Sequence, residues 1–311
     1  MISFLYKSII HIRNFLYDIN FFKIYTSTIP VISVGNLTVG GTGKTPFVLF
    51  LIKCFTKKNL TPLVISRGYG RSSKGQIIIN SKSDFDVKDI GDEPYLISKK
   101  FPQIDIVINH KRVDAVKWAE KSDKKYDVII LDDGYQHRSI FRNINILLIS
   151  GKQNHDFLLP RGILREPIKN INRADCVIFT KGGPDKNLVK LISKTPSFST
   201  VETFSKSNIK HDKGIAFCGI GDSDSFLETL NKLSINVVKS LKFKDHEKYS
   251  PSIIKKIEFL LKKTNQTTFF TTEKDWVKLP GAFIRKYSGC YIKMNVTIKD
   301  SSFYAIINTL S

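Results

Sequence analysis

The sequence predicts an α/β chain built on a P-loop NTPase-type, largely parallel sheet, and three observations predict it. Continuous apolar, β-branched runs recur at "PLVIS" (Pro62 to Ser66), "IDIVI" (Ile104 to Ile108), "DVIILDD" (Asp127 to Asp133), "INILLIS" (Ile144 to Ser150) and "DCVIFT" (Asp175 to Thr180), as strands covered on both faces require. Helical stretches separate several of them, the alternation that builds parallel βαβ units. An earlier strand, "IPVISVG" (Ile29 to Gly35), leads through a glycine-rich loop into the helical "PFVLFLIKCF", which is the setting of a phosphate-binding loop.

The segment ahead of that strand, 1–28, reads as an amphipathic helix. Ile2, Leu5, Ile9, Ile12, Leu16 and Ile19 recur at alternating spacings of three and four, and Lys7, His11, Asn14 and Asp18 keep the same rhythm on the other side. Charge interrupts it too often for a membrane span, and no small-residue cleavage site follows, which speaks against a secretory signal. Two placements fit. The helix packs by its apolar stripe on its own domain, or it lies in a membrane interface, where Phe4, Tyr6, Phe15, Tyr17, Phe21, Phe22 and Arg13 suit the headgroup boundary.

Beyond the polar stretch from Ser205 to Lys213 the pattern restarts with "GIAFCGIG", "INVVKSLKF", "TTFFTT" and "CYIKMNV", again with helical segments between. This predicts a second, smaller α/β domain and a division into 1–28, 29–204 and 205–311.

The 311 residues carry a formal net charge of +21, which invites a polyanion as partner. Lys accounts for most of the basic residues and is scattered, as an AT-biased genome would leave it, whereas eight of the ten Arg fall between Arg67 and Arg173. Clustered planar guanidinium groups favour phosphate handling in the middle of the chain. Cys54, Cys176, Cys218 and Cys290 are far apart, with neither C-x-x-C nor zinc spacing, which fits a reducing compartment.

"VGGTGKTP" (Val39 to Pro46) carries the chemistry. Gly40, Gly41, Thr42 and Gly43 form a loop whose N–H groups can face phosphate oxygens, Lys44 can reach the β- and γ-phosphates of a nucleotide, and Thr45 can hold Mg²⁺. The usual pattern would have glycine where this chain has Thr38. "VIILDD" adds the Walker B arrangement, with Asp132 at the strand end to serve the metal and Asp133 beside it. Three more loops are placed at strand C-terminal ends: "SRGYGR" with Arg67, Tyr69 and Arg71; "DDGYQHR" with His137 and Arg138; and "LLPRGILREP" with Arg161, Arg165 and Glu166. Together they form a candidate anion-binding rim for an acceptor phosphate. In "IGDEPYLI", Asp92 fits either a helix N-cap or the carboxylate that a kinase acting on an alcohol needs. His246 in "FKDHEKY" is a lone histidine of the second domain.

"GNLTVGGTGKTP", "RGYGR", "GDEP", "DDGYQHR", "LLPRGILREP", "FKDHEKY" and "TTEKDWVKL" occur in the order found in the tetraacyldisaccharide 4'-kinases, the lipid A kinases of Gram-negative bacteria, and the chain resembles that family from its amphipathic start to Leu279. The family's loop carries threonine at the position of Thr38, and Tyr135 stands where phenylalanine is frequent. The resemblance implies transfer of the ATP γ-phosphoryl group to the 4'-hydroxyl of a tetraacylated glucosamine disaccharide 1-phosphate. It also implies Mg²⁺, Asp92 as base assisted by His246, and peripheral attachment to the cytoplasmic face of the inner membrane. No protein partner is implied. Two other classes share features with the chain. A P-loop GTPase or metallochaperone would need a guanine-reading N/T-K-x-D, to which "TEKD" (Thr272 to Asp275) has a superficial likeness. A basic nucleic-acid-binding ATPase fits the charge, but no helix-turn-helix, RNA-recognition or zinc module is recognisable, so nucleic acid is not an expected partner.

Overall fold

A computed structural model describes residues 2–151, 157–183, 186–192, 195–208 and 210–310. The chain opens with α1 (Ile2–Asp18) and enters the sheet at β1 (Val31–Asn36), which leads through the glycine loop into α2 (Lys44–Thr56). There follow β2 (Pro62–Ser66), β3 (Ile77–Ile79), α3 (Val87–Ile90), α4 (Asp92–Lys100), β4 (Ile106–Ile108), α5 (Arg112–Lys121), β5 (Val128–Asp132), β6 (Ile144–Ser150), β7 (Cys176–Thr180), α6 (Lys186–Leu191) and β8 (Ser197–Ser199). These strands form one sheet in the order β3, β4, β2, β5, β1, β6, β7, β8, parallel throughout except for β3 against β4. Every residue of β1, β2, β5, β6 and β7 is buried, which is why these strands read as unbroken apolar runs.

The second sheet takes β9 (Val201–Lys206), β10 (Lys213–Cys218), α7 (Ser223–Lys232), β11 (Asn236–Lys242), α8 (Pro251–Lys263), β12 (Thr268–Thr272), α9 (Glu273–Trp276), α10 (Gly281–Lys286) and β13 (Ser288–Thr297). Its order is β11, β10, β12, β13, β9, with only β9 antiparallel to its neighbour. The second sheet therefore begins at Val201, a few residues before the division expected at 205. The last helix, α11 (Ser301–Asn308), leaves the second sheet and returns to the first, where Phe303 and Ile307 are buried with Phe47, Phe50 and Phe198. The core of the first unit is thus closed by residues from the far end of the chain, which strand and helix periodicity could not reveal.

The N-terminal helix is amphipathic as its spacing predicts, but it does not pack by its apolar stripe. Phe4, Leu5, Ile9, Ile12, Phe15 and Ile19 are each more than half exposed. Polar groups dock the opposite face. Asn14 is buried and its Nδ2 donates to Glu166 Oε2 at 2.9 Å; Tyr6 Oη donates to the Arg165 carbonyl at 2.8 Å. Arg13 donates to the Gln136 carbonyl at 2.6 Å, and Arg138 pairs with Asp18 at 2.6 Å. Among the described residues no helix is long and apolar enough to cross a membrane.

Candidate active site

The C-terminal ends of the parallel strands open into a cleft of about 1170 Å³ that is bounded on its other side by the second sheet. On its floor lies the glycine loop. Gly43, with φ of 79°, occupies the N-cap of α2, a left-handed conformation that glycine adopts without strain. No side chain caps this helix end, which leaves its first N–H groups directed at the cleft. Thr42 anchors the loop from within: its hydroxyl accepts from Asn36 Nδ2 at 2.8 Å, and its carbonyl accepts from Thr180 Oγ1 at 3.0 Å. Thr38 has a separate task. It is buried and pairs as a short antiparallel bridge with Leu164, flanked by Val39 N donating to the Ile163 carbonyl at 2.8 Å. This bridge fastens the "LLPRGILREP" loop to the phosphate loop.

Lys44 Nζ lies 3.2 Å from Asn36 Oδ1 and 3.4 Å from Asp133 Oδ1, so it is aimed over the loop. Asp133 also takes both of its oxygens to Arg165 Nη1, at 3.1 and 3.0 Å. Burial alone would raise the Asp133 carboxyl, but Lys44 and Arg165 overcome it and hold the group down at about 2. Asp132, at the end of β5, is the opposite case. Burial first, then the neighbouring Glu93 and Asp133 carboxylates, push it up to about 7 against the pull of Lys44 and Arg112. Its Oδ2 accepts from Ser66 Oγ at 3.2 Å. A buried carboxylate pressed by two other acids, in a cleft that Thr45 also lines, is a hard-oxygen donor set that suits Mg²⁺. Among the described residues no cluster of three or more His, Cys, Asp or Glu could hold a metal, so a nucleotide would supply part of the coordination.

From the second sheet's side of the cleft comes His246, held at φ of 58° in the loop after β11. Its Nδ1 lies 3.2 Å from Asp92 Oδ2, and its Nε2 lies 3.2 Å from Lys274 Nζ. An ammonium only donates, so Nε2 is the accepting nitrogen and Nδ1 carries the hydrogen given to Asp92. Asp92 is mostly buried at the start of α4, behind Gly91, whose φ of 90° lets the backbone pass close to Tyr69. Burial works to raise Asp92, but His246, Lys278 and Lys274 together leave it below the usual carboxylate range.

Of the expected rim residues, Arg67, Tyr69, His137 and Arg165 line the cleft, and the others do not. Arg71 turns back to donate to the Gly75 carbonyl at 2.6 Å. Arg161 stacks on Phe157, 4.1 Å from its ring centre, at the tip of the loop that the Thr38 bridge folds over. Glu166 is fully buried. Its Oε2 accepts from Asn14, from Asn170 Nδ2 at 2.7 Å and from Arg173 at 2.6 Å, so it ties α1 to the domain and does not face a substrate. A buried charge must be paired, and nothing in the spacing of Asn14, Asn170 and Arg173 signals that these donors converge on this acid.

Residues with no role assigned from the sequence also build the site. Arg112, buried on α5, donates to the Asp133 carbonyl at 2.9 Å; it belongs to the Arg cluster that composition picked out. Asn36 and Ser66, polar residues closing two apolar strands, hold Lys44 and Asp132. The "TEKD" likeness to a guanine reader is excluded by packing. Asp275 has no exposed surface and its Oδ2 accepts from Gly219 N at 2.9 Å and Thr272 Oγ1 at 2.7 Å.

The family model described as LpxK, Tetraacyldisaccharide-1-P 4'-kinase, matches residues 1–311. The tetraacyldisaccharide 4'-kinase of Aquifex aeolicus is 39% identical over 293 residues, covering 90% of this chain and 88% of that protein. That of Chlorobaculum parvum is 35% identical, covering 88% and 82%. The crystal structure of the "apo" form of LpxK from Aquifex aeolicus in complex with ATP superposes with a TM-score of 0.81 at 34% identity, covering 99% of this chain and 97% of that one. Matched by the family model along its whole length and by relatives at 35–39% identity over most of it, the chain belongs to the tetraacyldisaccharide-1-phosphate 4'-kinase family.

Proposed function

We propose that this protein is an ATP-dependent kinase that phosphorylates the 4'-hydroxyl of a tetraacylated glucosamine disaccharide 1-phosphate in lipid A biosynthesis. One observation carries the mechanism: His246, whose Nδ1 lies 3.2 Å from Asp92 Oδ2, lines the same cleft as Lys44 and the glycine loop, as does Glu93 next to Asp92, so Asp92 sits directly behind the wall of the space that the phosphate cradle faces. In this reading Lys44 and the loop N–H groups of Gly40, Gly41, Thr42 and Gly43 hold the β- and γ-phosphates. Thr45 and Asp132 hold Mg²⁺, which neutralises charge on the phosphates when bound. Asp133, fixed by Arg165 and Lys44, orients groups around them. Asp92 accepts the proton of the 4'-hydroxyl as its oxygen bonds to the γ-phosphorus and the bond to the ADP oxygen breaks, while His246 keeps the carboxylate aligned. Arg67, Tyr69, His137 and Arg165 face the remainder of the acceptor.

The outward apolar face of α1 supports peripheral binding at a membrane, on the cytoplasmic side of the inner membrane where ATP is available. Tyr6, Ile10 and Arg13 on its inner face line the cleft, so one helix borders both lipid and active site. Nucleic acid has no part in this reading. The decisive experiment is transfer of label from γ-labelled ATP to the disaccharide 1-phosphate lipid, with and without Mg²⁺. Label on the lipid only with Mg²⁺ supports the assignment, and Mg²⁺-dependent ATP hydrolysis with no labelled lipid overturns it.

A further inference from the structure

The "TTEKDWVKL" motif contains a lysine that none of these roles uses. Lys278 does not line the cleft and its side chain is only 4% exposed, yet its Nζ lies 3.2 Å from Asp92 Oδ2 and 3.0 Å from Asp275 Oδ1. We propose that Lys278 is a positioning residue for phosphoryl transfer, anchored by Asp275 in the second domain and seating the Asp92 carboxylate of the first. The proposal rests on Asp92 being the base.

The anchor is rigid for identifiable reasons. The Asp275 carboxylate is fully buried, and the oxygen not facing Lys278 is taken by Gly219 N and Thr272 Oγ1. A buried ammonium needs compensation, which here comes from Asp275, from Asp92 and from the Tyr249 ring, whose centre lies 5.4 Å away. At Asp92, the contacts from Lys278 and from His246 Nδ1 both fall on Oδ2. A hydrogen bond from His246 and an ion-pair contact from Lys278 on one oxygen set the rotation of the carboxylate and leave Oδ1 free of both. Lys274, four residues earlier, meets His246 and not Asp92, at 3.2 Å from Nε2, and its other neighbours are Glu93 and Asp245. The two lysines thus serve different members of the pair. Because Lys278 bridges the domains, Asp92 is seated only when the second sheet is docked against α4.

The test uses the full chain, Mg²⁺-ATP and the disaccharide 1-phosphate lipid. Lys278→Met is expected to lower kcat about 10- to 100-fold, as loss of an outer partner to a catalytic group does, with KM for ATP within about twofold of the parent. Asp92 is then faced by His246, Lys274, Glu93, Asp245 and the unpaired Asp275, so the acid limb of kcat against pH moves to higher pH. Lys278→Arg, which keeps the charge, is expected to return that limb toward its parental position. The neutral pair Lys278→Gln with Asp275→Asn removes both buried charges together and is expected to behave as Lys278→Met does. It decides the matter if the single variant fails to bind ATP. Parental kcat and pH profile in Lys278→Met or in the neutral pair overturn the positioning role, provided Asp92→Asn is inactive. Near-parental turnover of Asp92→Asn instead overturns the assignment of the base.

Discussion

The Lys44 ammonium sits 3.4 Å from Asp133 Oδ1, so the cation of the phosphate loop rests on an acid that follows a different strand. With Asn36 as its only other partner in the described contacts, Lys44 is preset over the place a nucleotide's terminal phosphates would take. Lys44→Ala is expected to lower kcat by about 10²–10³-fold, the usual loss when a charge-stabilising donor is removed. Steady-state kinetics with ATP titrated at saturating lipid checks this, and near-normal turnover would remove Lys44 from the mechanism.

Asp132 and Asp92 separate metal from base. Asp132→Asn is expected to raise the Mg²⁺ concentration needed for half-maximal turnover. Asp92→Asn is expected to leave ATP affinity unchanged while kcat falls at every pH by about 10²–10⁴-fold. Equal loss of ATP affinity in both variants would make Asp92 a structural or metal residue.

For α1 the two faces make opposite predictions. Replacing the exposed Ile9 and Ile12 with Asp is expected to leave the thermal midpoint unchanged and to release the protein from anionic vesicles, read by co-sedimentation. Asn14→Ala, on the docked face, removes a donor to the buried Glu166 and is expected to cost about 1–3 kcal/mol in denaturant unfolding. Melting of the Ile9 and Ile12 variant with the parent still failing to bind vesicles would show that the outer face is structural.

His137 predicts a pH dependence of stability. Burial, and then Arg112, Arg13, Arg142 and Arg67, push it down to about 4 from 6.5. Unfolded chains therefore take up a proton below pH 6.5 that native chains refuse until pH falls to about 4. Its contribution to stability is complete above 6.5, declines between 6.5 and 4, and is constant below; the loss is on the order of 3 kcal/mol. In urea unfolding against pH, His137→Gln is expected to flatten that interval, and an unchanged slope would refute the buried neutral histidine.

What the sequence made legible follows from what periodicity measures. Strands buried on both faces are plain as unbroken apolar runs, and "VISVGN" leading into "GGTGKT" locates the phosphate loop by sequence alone. Three strands went unread: β3 and β8 have three residues each, and β9 is a partly exposed edge with no apolar run. For α1 the spacing found two faces but not which one docks, because Asn14 and Glu166 are polar residues whose burial depends on each other across 152 positions. In the same way Arg161 and Arg165 look alike in "LLPRGILREP". Only the bridge between Thr38 and Leu164 decides which of them reaches Asp133. Asp92 and His246 were separately plausible, and their meeting at 3.2 Å depends on how two sheets dock.

The return of α11 to the first sheet has a consequence for synthesis. When Ser199 leaves the ribosome every strand of that sheet has been made, yet the surface around Phe47, Phe50 and Phe198 still lacks Phe303 and Ile307. That aromatic surface stays uncovered while roughly a hundred further residues are translated, about 5–20 s at ordinary elongation rates. For that time the nascent first domain is a sticky, unfinished body, and a fragment stopped before Ser301 never leaves that state.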